Sequence, residues 1–244
     1  MRSASAWLRL AEDDPRVVAG AAVGSLAVDA GDRFSDLDLT FGVADDAPVA
    51  DVLDDWTRTL VGELDAVRLT DLERGPTTYR VFLLPDGLQF DLSLTPAARF
   101  RPAGPRFRLL FGEAGEPAYP TPPVATDLLG WGVIYALHSR ACIERGRLWQ
   151  AEHYVAAVRD HALSLACLRE DVTAVQARGY DDLSAETLGR FADAHVGELE
   201  PGALRAALAA SVAALLHEGA EARLSHADVV AQRLAELYGS LTEA

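Results

Sequence analysis

The chain has 244 residues, half of them hydrophobic, and its 37 acidic residues outweigh 22 basic ones to leave a formal net charge of −15. That length carries one large domain or two modest ones with a sizeable core, while the acidity counts against a nucleic-acid substrate, since neutralising phosphates needs a basic face. Charges interrupt every apolar stretch before the roughly 20 residues a membrane span needs, and no long apolar block of a secretory signal follows Met1-Arg2-Ser3, so a cytoplasmic protein with no membrane partner is expected.

In chain order, residues 5–13 carry helical spacing, and a strand-like run at 17–23 ends on Gly24-Ser25, a pair suited to a turn. A second run, 36–43, alternates strictly: Leu37, Leu39 and Phe41 take one face, and Asp36, Asp38 and Thr40 the other. Val49, Val52, Leu53, Trp56, Leu60 and Leu64 form a helical stripe over 48–66. Further strands are expected at 66–70, 79–84, 88–94 and 106–111, with 79–84 and 88–94 joined into a hairpin by Pro85-Asp86-Gly87. Strands mixed with a few helices predict an α+β layer with a mixed sheet and flanking helices.

Prolines 117, 120, 122 and 123 then mark residues 112–123 as an extended linker. This divides the chain into a first domain over 1–118 and a second over 119–244. Apolar spacing of three and four over 126–146, 149–169, 184–196, 201–219 and 226–241 predicts an all-α helical bundle. Ser184 with Thr187, and Ser225 with Asp228, stand where helix caps belong.

The chemistry concentrates in the first domain. Same-side residues on a strand lie about 6–7 Å apart, so the oxygens of Asp36 and Asp38 can converge on a hard cation such as Mg2+, which takes oxygen ligands at about 2.1 Å. In the hairpin, Leu88, Phe90, Leu92 and Leu94 claim the core face and leave Gln89, Asp91 and Ser93 opposite. If the two strands are neighbours, three acids meet at one point. Taken alone, Asp-x-Asp in so acidic a chain reads as a solvated strand face, and Gly-Ser as an ordinary turn. Their combination with a later strand Asp is what singles them out. The histidines lack paired zinc-site spacing, and Cys142 and Cys167 sit in apolar helical patterns as buried free thiols.

Gly24-Ser25, the ten intervening residues, Asp36-Leu37-Asp38-Leu39 and then Phe90-Asp91-Leu92-Ser93 resemble the signature of the DNA polymerase beta-type nucleotidyltransferase superfamily. The two-part layout is most similar to the small nucleotidyltransferases that modify aminoglycosides or lincosamides. The resemblance implies that Gly24 and Ser25 seat nucleotide phosphates, that Asp36 and Asp38 bind two Mg2+ ions, and that Asp91 either ligates metal or takes the acceptor's proton. Arg33, in the loop between, could reach the triphosphate, whereas Asp29 and Asp32 read as turn formers. With no lysine in the chain, any cationic phosphate contact must come from arginine, whose planar fork suits the task.

Two other groups have both a plain and a functional reading. The Arg-Phe alternation through Arg99, Arg101, Arg106 and Arg108 suits a half-buried edge strand with a solvated face, or else a wall of cations near the triphosphate. Glu152 and Arg159, seven residues apart on one helix, are either solvated flank charges or acceptor- and phosphate-binding groups, with Glu152 a second candidate for general base. The expected activity is transfer of a nucleoside monophosphate, AMP from ATP foremost, to a hydroxyl of a small molecule, with release of pyrophosphate. The same chemistry on a protein or tRNA in a toxin-antitoxin pair, and a nucleotide-binding regulator without turnover, are the alternatives. The sequence fixes neither acceptor nor base specificity, and a homodimer is compatible with it.

Overall fold

The computed structural model describes residues 2–224 and 226–238, with side chains described from residue 8 to residue 235 apart from 225. The chain divides into two compact units, Met1–Pro120 and Thr121–Ala244.

The first unit is α+β, as its alternating and helical patterns require. Six strands, β1 (Val17–Val23), β2 (Leu37–Val43), β3 (Val67–Arg74), β4 (Thr77–Leu83), β5 (Gln89–Pro96) and β6 (Phe107–Phe111), form one sheet in the order β3-β4-β5-β2-β1-β6. The sheet is mixed: β2 and β5 run parallel, and every other neighbouring pair is antiparallel. Helices α1 (Arg2–Asp13) and α3 (Val49–Leu64) pack on one face, and the four-residue α2 (Gly24–Ala27) follows β1 directly. Leu37, Leu39 and Phe41 of β2 and Phe90, Leu92 and Leu94 of β5 are buried in one core with Val52, Leu53, Trp56 and Leu60 of α3, so the apolar stripe and the apolar strand faces find each other. On the opposite face Ala19 and Ala21 of β1 are buried with Phe100, and a Cβ at Gly42 of β2 would meet that ring 3.1 Å away.

The hairpin forms as its turn sequence demands. Gly87 takes φ +81°, its N–H donates to Leu84 O at 2.9 Å, and Asp86 Oδ1 accepts from Leu88 N at 3.2 Å. Strand β3 runs past the expected end at residue 70, through a register shift between Arg68 and Thr70. Nearly all its side chains are exposed, so it has no buried alternation for a sequence reading to detect. One buried cation closes this end of the core. Arg80, 5% exposed, holds Asp71 with Nε and Nη2 at 2.8 Å each, and its Nη1 donates to Asp54 and Thr57 at 2.9 and 2.8 Å.

The second unit is helical: α4 (Ala125–Glu144), α5 (Leu148–Arg169), α6 (Ala185–Gly189), α7 (Pro201–Glu221) and α8 (Ala227–Tyr238). Val155, Val158, Ala162 and Leu165 of α5 meet Leu204, Leu208 and Leu215 of α7 in its core. Small residues let helices approach: a Cβ at Gly132 of α4 would fall 2.7 Å from Leu215 of α7, and one at Gly219 would fall 3.1 Å from Leu129. Glu218, 1% exposed, is held by Arg169 at 2.8 Å. The single helix expected over 184–196 is instead α6 followed by a 3-10 turn, Ala192–Ala194. After Gly189 the backbone tightens to three-residue hydrogen bonds, Arg190 N to Thr187 O and Phe191 N to Leu188 O, which turns Phe191 into the core. Ser184 caps α6, its hydroxyl accepting from Thr187 N at 3.3 Å; Ser225, the other expected cap, and the end of the 226–241 helix beyond Tyr238 lie outside the described residues. Among the described residues, no helix is long and apolar enough to cross a membrane.

Candidate active site

Parallel pairing of β2 with β5 is the step that builds the site. It sets Leu37 against Phe90, Asp38 against Asp91 and Leu39 against Leu92. With the leucines and Phe90 committed to the α3 side, the period of two sends both carboxylates to the other face. Asp38 and Asp91 are thus direct neighbours on adjacent strands, each half-buried. Gln89 Nε2 donates to Asp91 Oδ1 at 2.9 Å and fixes that carboxylate's orientation. Asp36 immediately precedes β2 and is exposed.

The Gly-Ser turn is brought to the same place by β1, which pairs with β2 on its other edge. Gly24 has φ +64°, and a Cβ there would lie 2.5 Å from Asp38 Oδ2. A glycine is required twice over, by the backbone conformation and by the carboxylate against it. Ser25 is half-buried in the first turn of α2, which no side chain caps; its carbonyl accepts from Val28 N and Ala30 N at 3.3 and 3.1 Å.

The rest of the loop folds back over this turn. A Cβ at Gly31 would lie 3.9 Å from both Ser25 Oγ and Ser35 Oγ. Asp32 staples the bend: its Oδ1 accepts from Phe34 N at 2.8 Å and from Ser35 Oγ at 3.0 Å, while its own N–H donates to Ser35 Oγ at 2.9 Å. The Phe34 N–H, helped by the Ser35 hydroxyl, holds the Asp32 carboxyl below the usual carboxylate range. Arg33 is exposed and stacks its guanidinium 4.4 Å from the Phe34 ring centroid.

Sequence reasoning missed the part played by Arg108. Strand β6 is an edge strand, as its alternation suggests, yet Arg108 does not simply point into water. Its Nη1 bonds both oxygens of Asp29, at 2.8 and 3.0 Å, and its Nη2 donates to Leu26 O at 2.9 Å. Gly24 N donates to Arg106 O at 3.2 Å. Strand β6 and the residue just before it therefore moor both ends of the Gly-Ser turn. An arginine at an alternate position of an edge strand was the available signal, but its partner lies 79 residues away.

Carboxylate oxygens with a small-residue turn against one of them are the donor chemistry of a hard cation. Among the described residues, however, no group of three or more His, Cys, Asp or Glu side chains is gathered closely enough to hold a metal ion. Mg2+ usually takes one or two carboxylates and completes its shell with phosphate oxygens and water rather than with an all-protein cage.

Glu152 and Arg159 both lie on α5 of the second unit and are half-buried. Arg159 Nη2 pairs with its neighbour Asp160 at 3.3 Å. Aromatic rings crowd the same helix. Tyr154 stacks on Tyr135 of α4 with centroids 5.9 Å apart, and His138, His153 and His161 border these two rings at 5.2–5.3 Å.

No family model matches the chain, and no curated protein matches it. Among solved structures it is similar to the crystal structure of an aminoglycoside 6-adenyltransferase from Bacillus subtilis, at 14% sequence identity and a TM-score of 0.39, over 97% of this chain and 93% of that one.

Proposed function

We propose that the protein is a Mg2+-dependent nucleotidyltransferase that moves a nucleoside monophosphate, AMP from ATP, to a hydroxyl of a small molecule. The observation that carries this reading is the pairing of Asp38 with Asp91 on parallel strands, with the positive-φ Gly24 set against Asp38. Two adjacent anions beside a turn of small residues suit a bound polyphosphate only when a divalent cation lies between them, which is the work a nucleotidyltransferase requires.

In this reading Gly24 and Ser25 seat the donor phosphates, with Ser25 offering its hydroxyl and backbone N–H, and Arg33 supplies positive charge from the loop. Asp36, Asp38 and Asp91 would hold up to two Mg2+ ions, which when bound neutralise charge on the attacking and leaving oxygens. The acceptor oxygen bonds to the alpha phosphorus, the bond from that phosphorus to the bridging oxygen breaks, and pyrophosphate leaves. Asp91, which accepts a hydrogen bond from Gln89, takes the hydroxyl proton in this reading where it is not spent on metal. Positioning and charge neutralisation do the catalysis, with no covalent enzyme intermediate. The acceptor is proposed to be an aminoglycoside- or lincosamide-type antibiotic bound with help from Glu152 and Arg159, and the compartment the cytoplasm, where ATP is supplied.

The test is incubation with Mg2+, each of the four nucleoside triphosphates and pooled aminoglycosides and lincosamides, following pyrophosphate and acceptor mass. A mass gain of one nucleotide is expected, together with a fall of at least about 100-fold in rate for Asp38→Asn, the scale of losing a group that stabilises charge in the transition state. Unchanged Mg2+-nucleotide affinity in Asp38→Asn would refute the assignment.

A further inference from the structure

Phe34 is 74% exposed, more than any other large hydrophobic residue described in the first unit. A single exposed aromatic side chain is unremarkable by itself. This one differs in how it is held. Its backbone N–H is pinned to Asp32 Oδ1 at 2.8 Å, the next residue is locked to the same carboxylate through Ser35 Oγ at 3.0 Å, and Arg33 backs the ring at 4.4 Å. The loop that carries it returns to Ser25, as the 3.9 Å approach of a Gly31 Cβ to Ser25 Oγ records, and Asp36 follows two residues later. The Phe34 ring therefore stands in water on a loop pinned at Asp32 and folded back to Ser25 of the turn assigned to the donor phosphates.

We propose that Phe34 is the stacking platform for the donor's base, with Arg33 backing the ring. The inference rests on the nucleotidyltransferase reading and deepens it. Every base offers a π-face, so stacking tolerates any of them. A donor site whose base contact is a ring face, with Arg33 on the other side of that ring, accepts purine and pyrimidine triphosphates with affinities within about tenfold of one another, since stacking strengths vary modestly among bases.

Equilibrium titration separates the parts. MgATP and Mg2+-tripolyphosphate, which has the phosphates but no base, are titrated into the wild type, Phe34→Ala and Phe34→Trp. Because Phe34 is exposed, neither substitution removes core packing, and circular dichroism checks that. Phe34→Ala should weaken MgATP about 5- to 140-fold, the range expected for one lost base-aromatic stack, and leave tripolyphosphate within about twofold; Phe34→Trp should restore MgATP binding. Equal weakening of both ligands, or no effect on MgATP, overturns the platform. A wild type that binds neither ligand overturns the nucleotidyltransferase reading itself, and the platform with it.

Discussion

At the scale of single residues, the site depends on Gly24 as much as on the carboxylates. An alanine at φ +64° pays about 1–2 kcal/mol for the left-handed conformation, and its Cβ would force Asp38 to move. Gly24→Ala should therefore lower thermal stability by that modest amount and, in the proposed reaction, cut transfer about 100-fold, the usual scale for an ångström of misplacement; melting curves and pyrophosphate release report the two separately. Asp14 illustrates a different kind of charge. Arg16 donates to it through Nε at 2.9 Å and Nη2 at 2.8 Å, and Trp56 Nε1 donates at 2.9 Å, so its carboxyl is lowered from 3.8 to about 2, chiefly by the Arg16 hydrogen bonds. A depressed carboxylate adds stability that is complete above its unfolded value and disappears as pH falls through its folded one. Roughly 2 kcal/mol should be lost between about pH 4 and pH 2, and urea unfolding of Asp14→Asn across that window should show a shallower decline than the wild type. Asp38 and Asp91 were readable from the sequence because strand periodicity fixes which way a side chain points. Arg80 and Arg108 were not, since a cation's partner is set by strand order and register, which no local pattern encodes.

At the scale of elements, two kinds of contact do the positioning. Parallel pairing of β2 with β5 aligns the acids, and the close approach of α4 to α7 organises the helical unit. The second is testable at Gly132, which faces Leu215 at a distance that leaves no room for a branched side chain. Gly132→Val should cost about 1–3 kcal/mol through overpacking, outweighing any gain in helix propensity, and chemical denaturation measures it. The strands with one buried face, β2 and β5, and the helix with a full apolar stripe, α3, could be placed from sequence to within a residue or two, because burial imposes their period. Strand β3 was underestimated and α2 was not foreseen at all. The first exposes nearly every side chain, and the second is one turn of Gly-Ser-Leu-Ala, too short to show a period.

At the scale of the whole molecule, the buried clusters separate cleanly. Leu129 through Leu234 form one core, and the sheet's two faces supply the others from residues 11 to 100. The prolines after residue 112 make that partition legible, because extended, proline-rich chain cannot continue either a sheet or a helix. Less obvious is how late the first unit is finished. All three acids and the Gly-Ser turn have been made by the time residue 91 is added, yet the carbonyl of Arg106 and the guanidinium of Arg108 that tether the turn come after them. During synthesis, then, a nascent chain displays Asp36, Asp38 and Asp91 while the Gly-Ser turn still lacks these two tethers, and the ribosome must deliver Arg106 and Arg108 before that turn can set.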